Sequence, residues 1–99
     1  MYFDIEAVDA GLPFEARAYL ELRLFAALSQ PEAPVFFVRA EIRRTAGAAS
    51  GDEIRCRIRV LRRAGGDVVV ERRGSELYAV IDRVAEAAAE AVAVGDPVA

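Results

Sequence analysis

Residues 74–92, GSELYAVIDRVAEAAAEAV, read as one amphipathic helix with a marked start. Ser75 is the N-cap by residue type, because its hydroxyl can accept a hydrogen bond from a first-turn backbone N–H. Glu76 follows near the positive end of the helix dipole. Leu77, Tyr78, Ile81, Ala85, Ala88 and Val92 recur at helical spacing and mark one apolar stripe, with Tyr78 read as a core residue. Gly95 and Pro97 stop the helix. A helix of this kind is marginal alone in water, so the rest of the chain must supply the surface that it covers.

That surface reads as a sheet. Going back along the chain, Val68 to Arg73 alternates, with Val68 and Val70 inward and Val69, Glu71 and Arg73 outward. Arg62 to Asp67 is a hairpin turn whose Gly65-Gly66 supplies positive φ. Glu53 to Leu61 is the cleanest alternation: Ile54, Cys56, Ile58 and Val60 face in, and Arg55, Arg57 and Arg59 face out. Residues 45–52, TAGAASGD, are a small-residue loop. Val35 to Arg44 places Phe36, Val38, Ala40 and Ile42 on one face and Phe37, Arg39, Glu41 and Arg43 on the other. Phe14 to Leu28 is a second helix, buried along Ala16, Tyr19, Leu20, Leu24, Ala27 and Leu28. Glu21 and Arg23 mark its wet side, Pro13 suits its first turn, and the prolines after Ser29 end it. Leu22 and Phe25 widen its stripe beyond what one sheet contact needs. Tyr2 to Val8 is a half-buried strand with Phe3, Ile5 and Ala7 on one side and Tyr2, Asp4 and Glu6 on the other.

The order is therefore β-α-β-β-β-α. It predicts an α+β two-layer sandwich: a four-stranded mixed sheet with both helices on one face. The first two strands are parallel through a crossover, and the last three form a meander. Residues 1–94 read as a single domain and 95–99 as a short C-terminal tail.

Composition narrows the function. No run reaches the roughly 18 apolar residues that a membrane span needs. The start, MYFDIEAVD, lacks the basic-then-apolar order of a signal peptide, which fits a cytoplasmic protein. The one cysteine, Cys56, cannot form an internal disulfide and reads as a small core residue. Without histidine and with one cysteine, triads and zinc sites have no side chains to draw on. No glycine-rich phosphate loop is present. The expectation is a protein that is not an enzyme and has no cofactor, metal or small-molecule substrate.

The net charge of −3 hides a segregation. Residues 35–74 hold ten Arg against five acids, whereas residues 1–34 hold two against six and residues 75–99 one against five. Asp4 and Glu6 are expected beside Arg39 and Arg43, Glu41 near Arg57, and Glu71 and Arg73 beside Arg55, Arg57 and Arg59. This outward face reads either as a solvated charge ladder or as an electropositive surface for phosphate groups. Arg43-Arg44, Arg62-Arg63 and Arg72-Arg73 near strand ends can grip a nucleic-acid backbone or protect the sheet edge from pairing.

Glu76 to Asp82, ELYAVID, resembles the start of the last helix in the ribosome hibernation-promoting factor family, also called ribosome-associated inhibitors or sigma-54 modulation proteins. Tyr19, Leu20, Arg23 and Leu24 resemble that family's first-helix pattern, and Val70-Glu71 its acidic-apolar strand. The element order also agrees, although double-stranded-RNA-binding domains share much of it. The resemblance spans about Tyr2 to Val92. It implies a non-enzymatic stress protein that occupies the decoding channel of the small ribosomal subunit and silences translation. It implies RNA contacts from basic helix residues; Arg23 matches such a position, and Arg17 and Arg83 lie near others. Ala87, Glu90, Ala93 and Val94 stand where the family places Lys or Arg. The candidate nucleic-acid-binding residues are thus Arg17, Arg23 and Arg83 on the helices, Arg43, Arg55, Arg57 and Arg59 on the sheet, and Arg62 and Arg63 at the hairpin. The alternative is a protein-interaction or regulatory module, homodimeric in one version, that keeps the scaffold without RNA binding. Its motivation is the acidic last helix and the apolar candidates Phe25, Phe37 and Val69.

Overall fold

Alternating residues build four strands and two apolar stripes build two helices. The computed structural model describes residues 1–8, 11–29, 35–45, 51–63 and 66–94. The elements are β1 (Tyr2–Val8), α1 (Phe14–Leu28), β2 (Val35–Thr45), β3 (Glu53–Arg62), β4 (Val68–Gly74) and α2 (Leu77–Val94). The sheet order is β1-β2-β3-β4, with β1 parallel to β2 and the other pairs antiparallel. This is the expected α+β topology. The turn at 9–10, the segments 30–34 and 46–50, Gly65, and the stop at Gly95 and Pro97 lie outside the described residues.

One apolar cluster joins the layers. Ile5, Val38, Ala40, Ile42, Cys56, Ile58 and Val60 rise from one sheet face, and Leu20, Leu24 and Leu28 of α1 and Val80, Ile81, Val84, Ala85 and Ala88 of α2 close over them. Both helices therefore cover the same face. Each fully buried Leu or Ile contributes about 1.5–3 kcal/mol of transfer free energy. Burial pushes the Cys56 thiol up to about 12, so it sits in the core as an inert thiol. Among the described residues no helix is long and apolar enough to cross a membrane.

β1 is a sheet edge, and edges invite pairing with other chains. Arg17 of α1 reaches across and donates from Nη2 to the Ile5 carbonyl at 3.2 Å.

Four expectations are corrected. Phe36 does not face the core. The β2–β3 register shifts between Val35 and Phe37, so Val35 turns inward and Phe36 stays 44% exposed. Phe37, expected as an exposed apolar residue, is only half-exposed. The cap of α2 is Glu76 rather than Ser75: its carboxylate accepts from the backbone N–H of Ala79 at 2.8 Å and of Tyr78 at 3.3 Å. A longer acidic side chain thus satisfies two orphan donors at the positive helix end. Finally, Tyr78 lies outside the core, 39% exposed, and packs edge-on against Tyr19 with ring centroids 5.1 Å apart.

Candidate nucleic-acid interface

The helix layer is tied by one carboxylate. Asp82, in the first turns of α2, accepts from the Tyr19 hydroxyl at 2.5 Å and from Arg23 Nε at 3.0 Å, both on α1. The two donors are one turn apart, so a single acceptor meets both. Arg23, read from the sequence as solvent-facing, is instead part of this latch. Arg83 points the other way and donates from Nη2 to the Arg73 carbonyl at 2.7 Å, fastening α2 to the end of β4. All three helix arginines among the candidates are thus engaged within the chain: Arg17 on a backbone carbonyl, Arg23 on a carboxylate, Arg83 on a second carbonyl. Glu86 and Glu90 are exposed on α2, whose last turn holds no basic residue.

The latch titrates at both ends of the pH scale. The Tyr19 hydrogen bond, then Arg23, hold the Asp82 carboxyl below its ordinary 3.8, partly opposed by desolvation. The same bond, with desolvation and the Asp82 charge, raises the Tyr19 hydroxyl above 10.0. A carboxyl with a depressed folded pKa stabilises the fold above its unfolded value, and that contribution is lost as pH falls through the folded pKa. A hydroxyl with a raised pKa stabilises the fold below its unfolded value, and that contribution is lost as pH rises past the folded one. Wild-type Tm is therefore expected to fall below about pH 4 and again above about pH 10. Asp82→Asn flattens the acid limb and returns Tyr19 to ordinary titration. Thermal melts across pH and an ultraviolet tyrosine titration read the two limbs; an unchanged Tyr19 in Asp82→Asn would contradict the latch.

The opposite sheet face is open and charged. Register sorts its outward residues into rows across the strands. One row is Asp4, Arg39, Arg59 and Val69; the next is Glu6, Glu41, Arg57 and Glu71; the third is Val8, Arg43, Arg55 and Arg73. Arg39 bridges Asp4 at 3.1 Å and Glu6 at 3.3 Å, so it takes both acids expected to be shared with Arg43. Arg43 meets Glu41 at 3.6 Å instead. Arg59 is held by Asp67 through two bonds at 2.9 and 3.2 Å. Arg57 lies opposite Glu41 and Glu71 without an ion pair among the described residues. Arg39, Glu41, Arg57 and Arg59 line a shallow groove. At the hairpin Arg62 is buried and donates to the Gly66 carbonyl at 3.1 Å, whereas Arg63 is exposed. Arg39 and Arg73 belong to this face although they were not among the candidates. Strand parity, two and four residues from Glu41, Arg43 and Glu71, is the signal that finds them.

The helix latch and the arginine-rich sheet sit on a known scaffold. The structure is similar to that of a ribosomal subunit interface protein from Coxiella burnetii, with a TM-score of 0.78 and 9% identity over 94% of each chain. The chain has the fold of a ribosomal subunit interface protein. The Thermus thermophilus Protein Y N-terminal domain is similar too, with a TM-score of 0.70 and 22% identity over 93% of this chain and 96% of that one. No family model matches the sequence, and no curated protein matches it. The β-α-β-β-β-α fold read from the sequence, which the family resemblance shares, is thus the observed one.

Proposed function

We propose that this chain is a non-enzymatic, ribosome-associated factor that inhibits translation under stress by binding the small ribosomal subunit and its RNA. The supporting observation is the near full-length likeness to proteins whose names place one of them at the ribosomal subunit interface. In this reading the arginines of the sheet, Arg43, Arg55, Arg57 and Arg59, with Arg63 at the hairpin, make the RNA contacts. The helix arginines are engaged within the chain, and Glu86 and Glu90 repel phosphate. The expected result is saturable pelleting with purified small subunits at low salt that weakens as salt rises. Arg57→Glu is expected to weaken it further. Pelleting of neither wild type nor variant at low salt would sink the reading.

A second reading has its own observation. Leu22 and Phe25 of α1 are 65% and 53% exposed, beside Phe3 and Ala18 in a shallow apolar groove that also holds Glu21. A protein-interaction module, in one version a homodimer, would use that groove. Light scattering that shows a dimer, lost in Phe25→Glu, together with no subunit pelleting, would favour it.

A further inference from the structure

The row Arg43, Arg55 and Arg73 puts three cations directly opposite one another on three neighbouring strands. Like charges opposite in a sheet destabilise it, so the arrangement lacks a reason in the folded chain alone. The outer two lean back along their own strands to acids two residues before them: Arg43 to Glu41 at 3.6 Å and Arg73 to Glu71 at 3.4 Å. Both contacts are long. Arg55 in the centre has no ion pair among the described residues and is half-buried between its neighbours. Arg43 Nε is covered and finds no acceptor among the described residues. The row thus carries three positive charges, two of them held only by long contacts to acids of the neighbouring row.

We propose that this row binds the phosphodiester backbone of a single nucleic-acid strand laid across β2, β3 and β4. The proposal rests on the nucleic-acid reading above and assigns it a place. Two interstrand steps span about 10 Å, the axial length of two to three successive phosphates in one strand. Guanidinium groups match phosphate oxygens through paired N–H donors. The outward aromatic side chains of β1 and β2, Tyr2 and Phe37, lie three rows beyond, at the other end of these strands. No base platform flanks the row, so the contact is to the backbone and independent of base sequence. An acidic protein segment is the competing ligand. The observed register favours phosphate because three arginines lie directly opposite one another on three neighbouring strands.

The test is binding of fluorescent 20-mer RNA and DNA to the full chain, read as log Kobs against log salt. Single-strand contacts contribute about 0.7 to the slope per phosphate neutralised. Arg55→Gln is expected to lower the slope by about that much, and the Arg43→Gln/Arg55→Gln/Arg73→Gln triple by about 2. Arg39→Gln, whose arginine is held by Asp4 and Glu6, is expected to leave it unchanged. Arg55→Gln is also expected to leave Tm equal or higher, since it relieves repulsion. A residue with a purely structural role would lower Tm and leave the slope alone. An unchanged slope in the triple variant, or polyglutamate competing as well as RNA does, overturns the proposal. The two failures separate: small-subunit pelleting that survives in the triple overturns the row alone. Oligonucleotide binding lost in the triple, without subunit pelleting by wild type, supports the row and overturns the ribosome reading.

Discussion

Ile81→Ala is expected to lower the stability of the chain by about 2–5 kcal/mol, seen as a fall in the urea midpoint with an unchanged m-value. Ile81 is fully buried on α2, inside the ELYAVID stretch. It joins the single cluster that holds both helices to the sheet. The cost of truncation depends on whether the surroundings can collapse into the space. Here they cannot do so well, because Ala85 and Ala88 lie along the same buried face and have no reach, and Val80 and Val84 are stiff at χ1. A chain of 99 residues has about 5–15 kcal/mol in all, so one side chain carries a sizeable share. Leu22→Ala, on the exposed side of α1, is the matched control and is expected within about 0.5 kcal/mol of wild type. Equal losses at Ile81 and Leu22 would mean that α2 is not pinned as described.

The contrast between those positions marks what sequence can and cannot carry. Period-two alternation in β3 and the bounds of β1 and α1 were readable because each depends on one segment's own pattern. Most of the misreadings depend on a partner elsewhere. Phe36 was placed by parity alone, and a register shift against β3 reversed it. Ser75 is the better cap by type, but the chain enters α2 one residue later, where Glu76 reaches the free N–H groups. Arg23 looked wet because helical spacing shows a helix's own faces and not the carboxylate of Asp82, 59 residues away. The arginine row needs two registers at once. Each arginine was visible as an outward residue, yet only the pairing of β2 with β3 and of β3 with β4 puts Arg43, Arg55 and Arg73 side by side.

Gly74→Val is expected to cost about 1–3 kcal/mol through overpacking where β4 passes into α2. Gly74 has no positive φ, so the demand for glycine there is one of space. A Cβ at this position would stand 2.9 Å from Val80 Cγ2 and 2.5 Å from Arg83 Nη2. The two neighbours differ in how they can respond. Arg83 is an exposed, flexible side chain and can swing aside, giving up its bond to the Arg73 carbonyl. Val80 is fully buried and β-branched in a helix, with one strongly preferred rotamer, so it cannot turn away. The strand and the helix must then part, and α2 packs on β4 as well as on β3 and α1. If Val80 is the obstacle, the penalties of Gly74→Val and Val80→Ala will not add: the double variant is expected to be more stable than the sum of the singles predicts. Arg83→Ala is expected to give no such relief. Urea unfolding of the four chains in each cycle decides it, and full additivity with Val80→Ala would show that the close approach of β4 to α2 is not what requires glycine at position 74.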